Sequence, residues 1–193
     1  MVPAALSPRR LEAIVVGGSA GSIAALEDLL PGLPADGPPV LVVVHLSPTS
    51  PSHLADIFQA RCAMRVCEAE PAQPIERGVV YFAPSNYHLL VEPDRRCALS
   101  VEPPVHFSRP SIDVLFESAA DVFGASLAAV VLSGANEDGA QGLRAVARAG
   151  GLVLIQQPDT ARVRVMPDAA LAAVPGGRVL PVAAMLGALR GTE

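Results

Sequence analysis

Val40-Leu41-Val42-Val43-Val44 is a run of five apolar residues with no polar alternation. A strand of this kind is buried on both faces, as in a parallel sheet covered by helices on each side. Two further runs have the same character, Ala13-Ile14-Val15-Val16 and Leu127-Ala128-Ala129-Val130-Val131-Leu132. Helical periodicity follows the first at Ile23, Leu26, Leu29 and Leu30, and precedes the third at Ile112, Leu115, Phe116, Ala119, Ala120 and Phe123. Strands alternating with helices imply right-handed crossovers. The fold class expected is α/β, a doubly wound, mainly parallel sheet flanked by helices.

The remaining elements follow in order. A short helix is expected through Leu54 to Ala60. Between about 62 and 104 the pieces Met64–Glu68, Val79–Ala83, Leu89–Glu92 and Cys97–Val101 are short and of β type, with Pro93-Asp94-Arg95-Arg96 as a hairpin turn between the last two. They are read as an antiparallel β-hairpin excursion inserted in the α/β domain. Ser111 is a natural cap for the helix that starts at Ile112. A helix to Ala149, strands at Leu152–Gln156 and Arg178–Leu180, a short helix opened by Met166-Pro167 and a last helix from Pro181 complete the chain. The 193 residues suit one domain, 12–193, preceded by a polar tail, 1–11.

In open α/β sheets, chemistry collects beyond the carboxyl ends of the strands. The first run ends in Gly17-Gly18-Ser19-Ala20-Gly21, a G-x-S-x-G turn between strand and helix that exposes a hydroxyl near free N–H groups. Such a serine also serves as a helix cap, and such a turn also binds anions. The P-loop pattern fails because no Gly-Lys-Ser/Thr follows, and the dinucleotide pattern fails because Ser19 occupies its second glycine position. His45 ends the second strand. Asp138 follows the strand that ends at Ser133, with Glu137 and Asp159 as rival carboxylates. A hydroxyl, an imidazole and a carboxylate on one sheet edge are the parts of a nucleophilic triad. The order Ser19, His45, Asp138 is not that of an α/β-hydrolase, whose acid precedes its histidine. His88 and His106 are read as structural or solvated, and Arg109 as solvated or ion-paired.

Composition closes several classes. A formal net charge of −5 with no basic block argues against nucleic acid as a partner. No apolar run approaches a membrane span, and the N-terminus has no signal core, so a cytoplasmic protein without membrane insertion is expected. Cys62, Cys67 and Cys97, an odd count without a C-x-x-C, suit a reducing compartment and make no zinc site.

Several well-separated motifs carry a resemblance spanning about 12 to 190. They are Val16-Gly17-Gly18-Ser19-Ala20-Gly21, Val44-His45-Leu46, Tyr81-Phe82-Ala83-Pro84 with Tyr87-His88-Leu89, Ser108-Arg109-Pro110-Ser111-Ile112-Asp113-Val114-Leu115-Phe116, and Leu132-Ser133-Gly134 with Glu137-Asp138-Gly139-Ala140. Together they resemble the catalytic domain of the chemotaxis protein-glutamate methylesterases, the CheB family. The resemblance implies a serine esterase that hydrolyses glutamate γ-methyl esters on chemoreceptor-type proteins and releases methanol. It implies Ser19 as nucleophile, His45 as base and Asp138 as orienting acid. The backbone N–H of Ala135, where the family usually has methionine, would hold the oxyanion together with the N–H of Ala20 beside the nucleophile. No metal or cofactor is called for. Ser22 and Asn136 stand where the family usually has glycine. The usual N-terminal receiver domain has no counterpart in the dozen residues before the first strand, so control is expected from a separate regulatory protein or not at all. The alternatives are a receptor glutamine deamidase using the same acyl chemistry, and a non-catalytic receptor-binding module.

Overall fold

The computed structural model describes residues 10–46 and 52–190. The loop expected at Ser47–Pro51 and most of the N-terminal tail lie outside the described residues. Nine strands are described: β1 (Ala13–Gly18), β2 (Val40–Val44), β3 (Arg65–Glu68), β4 (Val79–Phe82), β5 (His88–Val91), β6 (Cys97–Ser100), β7 (Leu127–Val131), β8 (Leu152–Gln156) and β9 (Arg178–Leu180). The helices are α1 (Ser22–Leu29), α2 (Leu54–Gln59), α3 (Ile112–Phe123), α4 (Ala140–Arg148), α5 (Val165–Ala173) and α6 (Val182–Arg190).

Seven strands form one sheet in the order β3-β4-β2-β1-β7-β8-β9. Every pairing in it is parallel. The chain therefore leaves β1 toward one edge and returns to its other side at β7, which makes the carboxyl end of β1 the switch point of the sheet. Alternate residues of β1 serve two cores. Ala13 and Val15 pack with Ile112, Leu115, Phe116, Leu143 and Val146 from α3 and α4. Ile14 and Val16 pack with Leu26, Leu29, Phe58, Met185 and Leu189 from α1, α2 and α6. The parallel, doubly wound expectation holds, and so does the apolar stripe of α3, every one of whose six named residues is buried.

One expectation changes. Of the four short β pieces, only β5 and β6 form the antiparallel hairpin, in register from His88↔Ser100 to Val91↔Cys97. β3 and β4 join the main sheet, parallel to each other through Arg65↔Val79 to Glu68↔Phe82. Their connection contains no helix, so it lacks the usual mark of a crossover. It is pinned instead by polar contacts. The buried Tyr81 hydroxyl donates to Pro74 O and accepts the Glu76 N–H, both at 2.9 Å. Backbone bonds from Ala72 to Cys97 O and from Ile75 to Arg95 O tie the connection to the hairpin.

Candidate active site

The ladders on either side of β1 continue past its end. His45 N donates to Gly18 O at 3.1 Å, and Ser19 N donates to Ser133 O at 2.9 Å. The Ser19 turn is thus held between the residue after β2 and the residues after β7. Gly21 carries the chain into α1 at φ 80°, a left-handed conformation that an L side chain adopts at a cost. Ser22, the first residue of α1, is fully buried and donates its hydroxyl to Ser19 O at 2.7 Å. It therefore reinforces the turn.

Asp138 is fully buried, unlike its rivals. The Glu137 side chain is 70% exposed, and Asp159, 77% exposed, lies 3.3 Å from Arg164. Four donors converge on the Asp138 carboxylate. Oδ2 lies 2.8 Å from His45 Nε2 and accepts the Ile112 N–H at 2.7 Å. Oδ1 accepts the Ser111 hydroxyl at 2.8 Å and the Asp113 N–H at 3.0 Å. The first turn of α3 is therefore capped by Asp138. Ser111 makes no side-chain cap of its own, contrary to the local rule, because the carboxylate already takes the helix N–H groups. Burial alone would raise the Asp138 pKa, but the bonds from His45, Asp113 and Ile112 outweigh it and hold the carboxyl below its ordinary range. Two glycines make this approach possible. A Cβ on Gly17 would lie 2.3 Å from Ile112 Cγ2, and one on Gly139 would lie 2.8 Å from the same atom.

An ionised Asp138 fixes the proton of His45 on Nε2 and leaves Nδ1 as an acceptor. The hydroxyl nearest Nδ1 among the bonds of the described residues is that of Ser108, at 3.4 Å. Ser19 and His45 are neighbours through the backbone, and the direct Ser19–His45 side-chain bond expected of a triad is not formed among the described residues. Catalytic bonds of this kind are often long before substrate binds. The Ala20 and Ala135 N–H groups make no backbone bonds among the described residues, and both residues are exposed. Asn136 does not open this loop as glycine would. Its Oδ1 accepts the Asp138 N–H at 3.3 Å, and its Nδ2 donates to His106 O at 3.4 Å.

His88 and His106 take structural positions. His88 is buried, with Nδ1 accepting the Ser111 N–H and Nε2 at Pro103 O, each at 3.1 Å. His106 Nε2 lies 3.2 Å from Asp113 Oδ2. Burial raises the Asp113 pKa, the Gly142 N–H opposes this, and the nearby Asp138 charge adds to the rise. His106, Asp113 and Asp138 bring possible ligand atoms within 4.8 Å of one another. The four donors already on Asp138 fill its four lone-pair sites, so the cluster as arranged offers a cation no oxygen from that residue. Arg109 meets no carboxylate among the described residues. Nε and Nη2 donate to Asn86 Oδ1 at 3.0 and 2.7 Å, and Nη1 donates to the carbonyls of Val101 and Glu102 at 2.7 and 3.0 Å. The three cysteines are free thiols.

The chain is similar to known proteins along most of its length. The CheB methylesterase family model matches residues 14–189. A relative from Leptospira interrogans is 46% identical over 163 residues, which is 84% of each chain. One from Symbiobacterium thermophilum, named protein-glutamate methylesterase/protein-glutamine glutaminase, is 40% identical and covers 91% of this chain but 48% of its own. The chain thus spans most of the first relative and about half of the second. The crystal structure of the Thermotoga maritima CheB methylesterase catalytic domain superposes with a TM-score of 0.89 at 27% identity, covering 95% of this chain and 99% of that one. With the family model matched along nearly its whole length and the fold shared throughout, this chain belongs to the CheB methylesterase family.

Proposed function

We propose that the protein is a serine esterase that hydrolyses glutamate γ-methyl esters on chemoreceptor-type proteins, with Ser19, His45 and Asp138 as its triad. The observation that carries the reading is the 2.8 Å bond between His45 Nε2 and a buried, ionised Asp138, which leaves Nδ1 an acceptor on the edge that also carries the Ser19 turn. In this mechanism Ser19 Oγ attacks the ester carbonyl and its proton passes to His45 Nδ1. Asp138 stabilises the imidazolium without taking the proton. The tetrahedral oxyanion is held by the N–H groups of Ala20 and Ala135. Collapse breaks the bond to the methoxy oxygen, which leaves as methanol with the proton from His45. Water then loses a proton to His45 and attacks the acyl-enzyme, giving the glutamate carboxylate and restoring Ser19.

The double name of the relatives favours a second reading beside the first, deamidation of glutamine side chains by the same acyl chemistry with ammonia as leaving group. The reading sets both reactions in the cytoplasm. No helix among the described residues is long and apolar enough to cross a membrane. The test is methanol release from methylated receptor membranes by the wild type and by Ser19→Ala. Release that disappears in the variant supports the reading. Equal release from both removes Ser19 from the chemistry.

A further inference from the structure

Val105 and Ser108 exchange backbone hydrogen bonds, at 3.1 and 2.8 Å, across a two-residue turn. Its central residues are His106 at φ 47° and Phe107 at φ 61°. A hairpin turn with positive φ at both positions favours Asn-Gly, and neither residue here has that freedom. The conformation is imposed from outside. The His106 ring lies between Asp113 Oδ2 at 3.2 Å and Glu137 Oε1 at 3.6 Å. Its carbonyl accepts Asn136 Nδ2 at 3.4 Å. At the other end, the Ser108 hydroxyl lies 3.4 Å from His45 Nδ1. The turn is thus fastened to the base, to the loop that carries Asp138 and to the helix that Asp138 caps.

What this strained conformation displays is Phe107, a residue 104% exposed, the full exposure of a free residue. It lines a cleft of about 160 Å³ with His45, Leu46, Asn86, Ser108 and Arg109. Leu46 adds a second exposed apolar surface directly after His45. Arg109, held in place by Asn86 Oδ1 and two backbone carbonyls, keeps its charge at the polar side of this cleft. A methylated glutamate is itself uncharged. Strain kept at a site, spent on presenting a bare aromatic ring beside the base, points to recognition.

We propose that Phe107 is a specificity-determining residue, which docks against apolar side chains of the substrate polypeptide flanking the ester and so seats that ester at His45 and Ser19. The proposal rests on the esterase reading above. It makes substrate choice depend on a contact outside the reacting atoms. Small esters that do not reach the turn gain nothing from it.

Phe107→Gly gives a clean test, because glycine relieves the positive φ and the lost ring is unpacked, so the melting temperature is expected to hold or rise. The expected result is a fall of tenfold or more in kcat/KM for methanol release from methylated receptor membranes, carried by KM. Hydrolysis of methyl acetate, which has no apolar side chain to set against the ring, should fall by a much smaller factor. Co-sedimentation with the same membranes, comparing Ser19→Ala with Ser19→Ala/Phe107→Gly, reads docking without turnover and is expected to weaken by a similar factor. An unchanged ratio of the two activities, whether both persist or both fall, overturns the proposal, as does unchanged co-sedimentation. Failure of the esterase reading is separate and shows in Ser19→Ala alone.

Discussion

Asp138 caps a helix that starts 26 residues before it in the chain, accepting the Ile112 N–H at 2.7 Å on the same oxygen that meets His45. One carboxylate therefore holds His45 and anchors α3. A single substitution strikes both contacts at once. Asp138→Asn places an amide donor against other donors and is expected to destabilise the fold by at least about 2 kcal/mol. It should also lower kcat by about 10⁴-fold, since the wrong histidine tautomer is then favoured. Ser19→Ala should abolish turnover at a stability within about 0.5 kcal/mol of wild type. Urea midpoints for the two variants, read beside methanol release, check the contrast.

The two neighbouring aspartates should pull stability in opposite directions with pH. Asp138 titrates below its ordinary value in the folded chain. As pH falls below about 3.9 the unfolded chain takes up this proton first, so its contribution, complete at neutral pH, is lost through that window. Asp113 titrates above its ordinary value. Its folded form is favoured while protonated, and that advantage disappears as pH rises through the raised value. Asp113→Asn keeps an oxygen for the Gly142 N–H, which Oδ1 accepts at 2.7 Å. The variant is expected to be more stable than wild type at neutral pH and to lose that gain near pH 3, as measured by denaturant unfolding at both values.

Ser133 should matter to the Ser19 turn without touching substrate. Its buried hydroxyl donates to Ala20 O at 2.7 Å and accepts the Val163 N–H at 2.9 Å. Ser133→Ala leaves both groups without this partner and should cost about 1–3 kcal/mol. Because Ala20 directly follows the proposed nucleophile and its N–H is a proposed oxyanion donor, kcat is expected to fall, by less than the roughly 100-fold that outright loss of such a donor costs. Thermal melts and steady-state kinetics on the same preparation test both parts.

Tyr81→Phe provides the opposite case, a loss of stability with catalysis intact. Removing the hydroxyl deprives Pro74 O and the Glu76 N–H of their shared partner. A cost of about 1–2 kcal/mol is expected, with kcat/KM unchanged, since this contact pins the β3–β4 connection and not the β1 switch point.

The parts of this molecule that could be read from the chain are those set by short-range rules. Buried runs gave β1, β2 and β7, and their carboxyl ends located Ser19, His45 and the loop of Asp138. The hairpin turn at Pro93–Arg96 was legible for the same reason, with Val91↔Cys97 closing it. The rest depends on partners far along the chain. Ser111 looks like a cap until a carboxylate 27 residues away takes the helix N–H groups. Four-residue strands such as β3 and β4 look alike in parallel and antiparallel sheets, and the connection that decides between them carries no helical pattern. Asn136 stands where the family usually has glycine, and only the structure shows both ends of its amide holding the loop. Phe107 gave no local signal, because its importance lies in what its turn touches and displays.

The strand order has a consequence for how the protein comes into being. β1 lies between β2 and β7. A ribosome therefore releases the hydroxyl and the imidazole early, while the acid and the strand that completes their support are still unmade. On the proposed triad, the growing chain then holds two of the three groups and none of their geometry. Hydrolysis is expected to begin only once Asp138 has emerged and β7 lies beside β1, which would make the act of folding itself the step that switches the enzyme on.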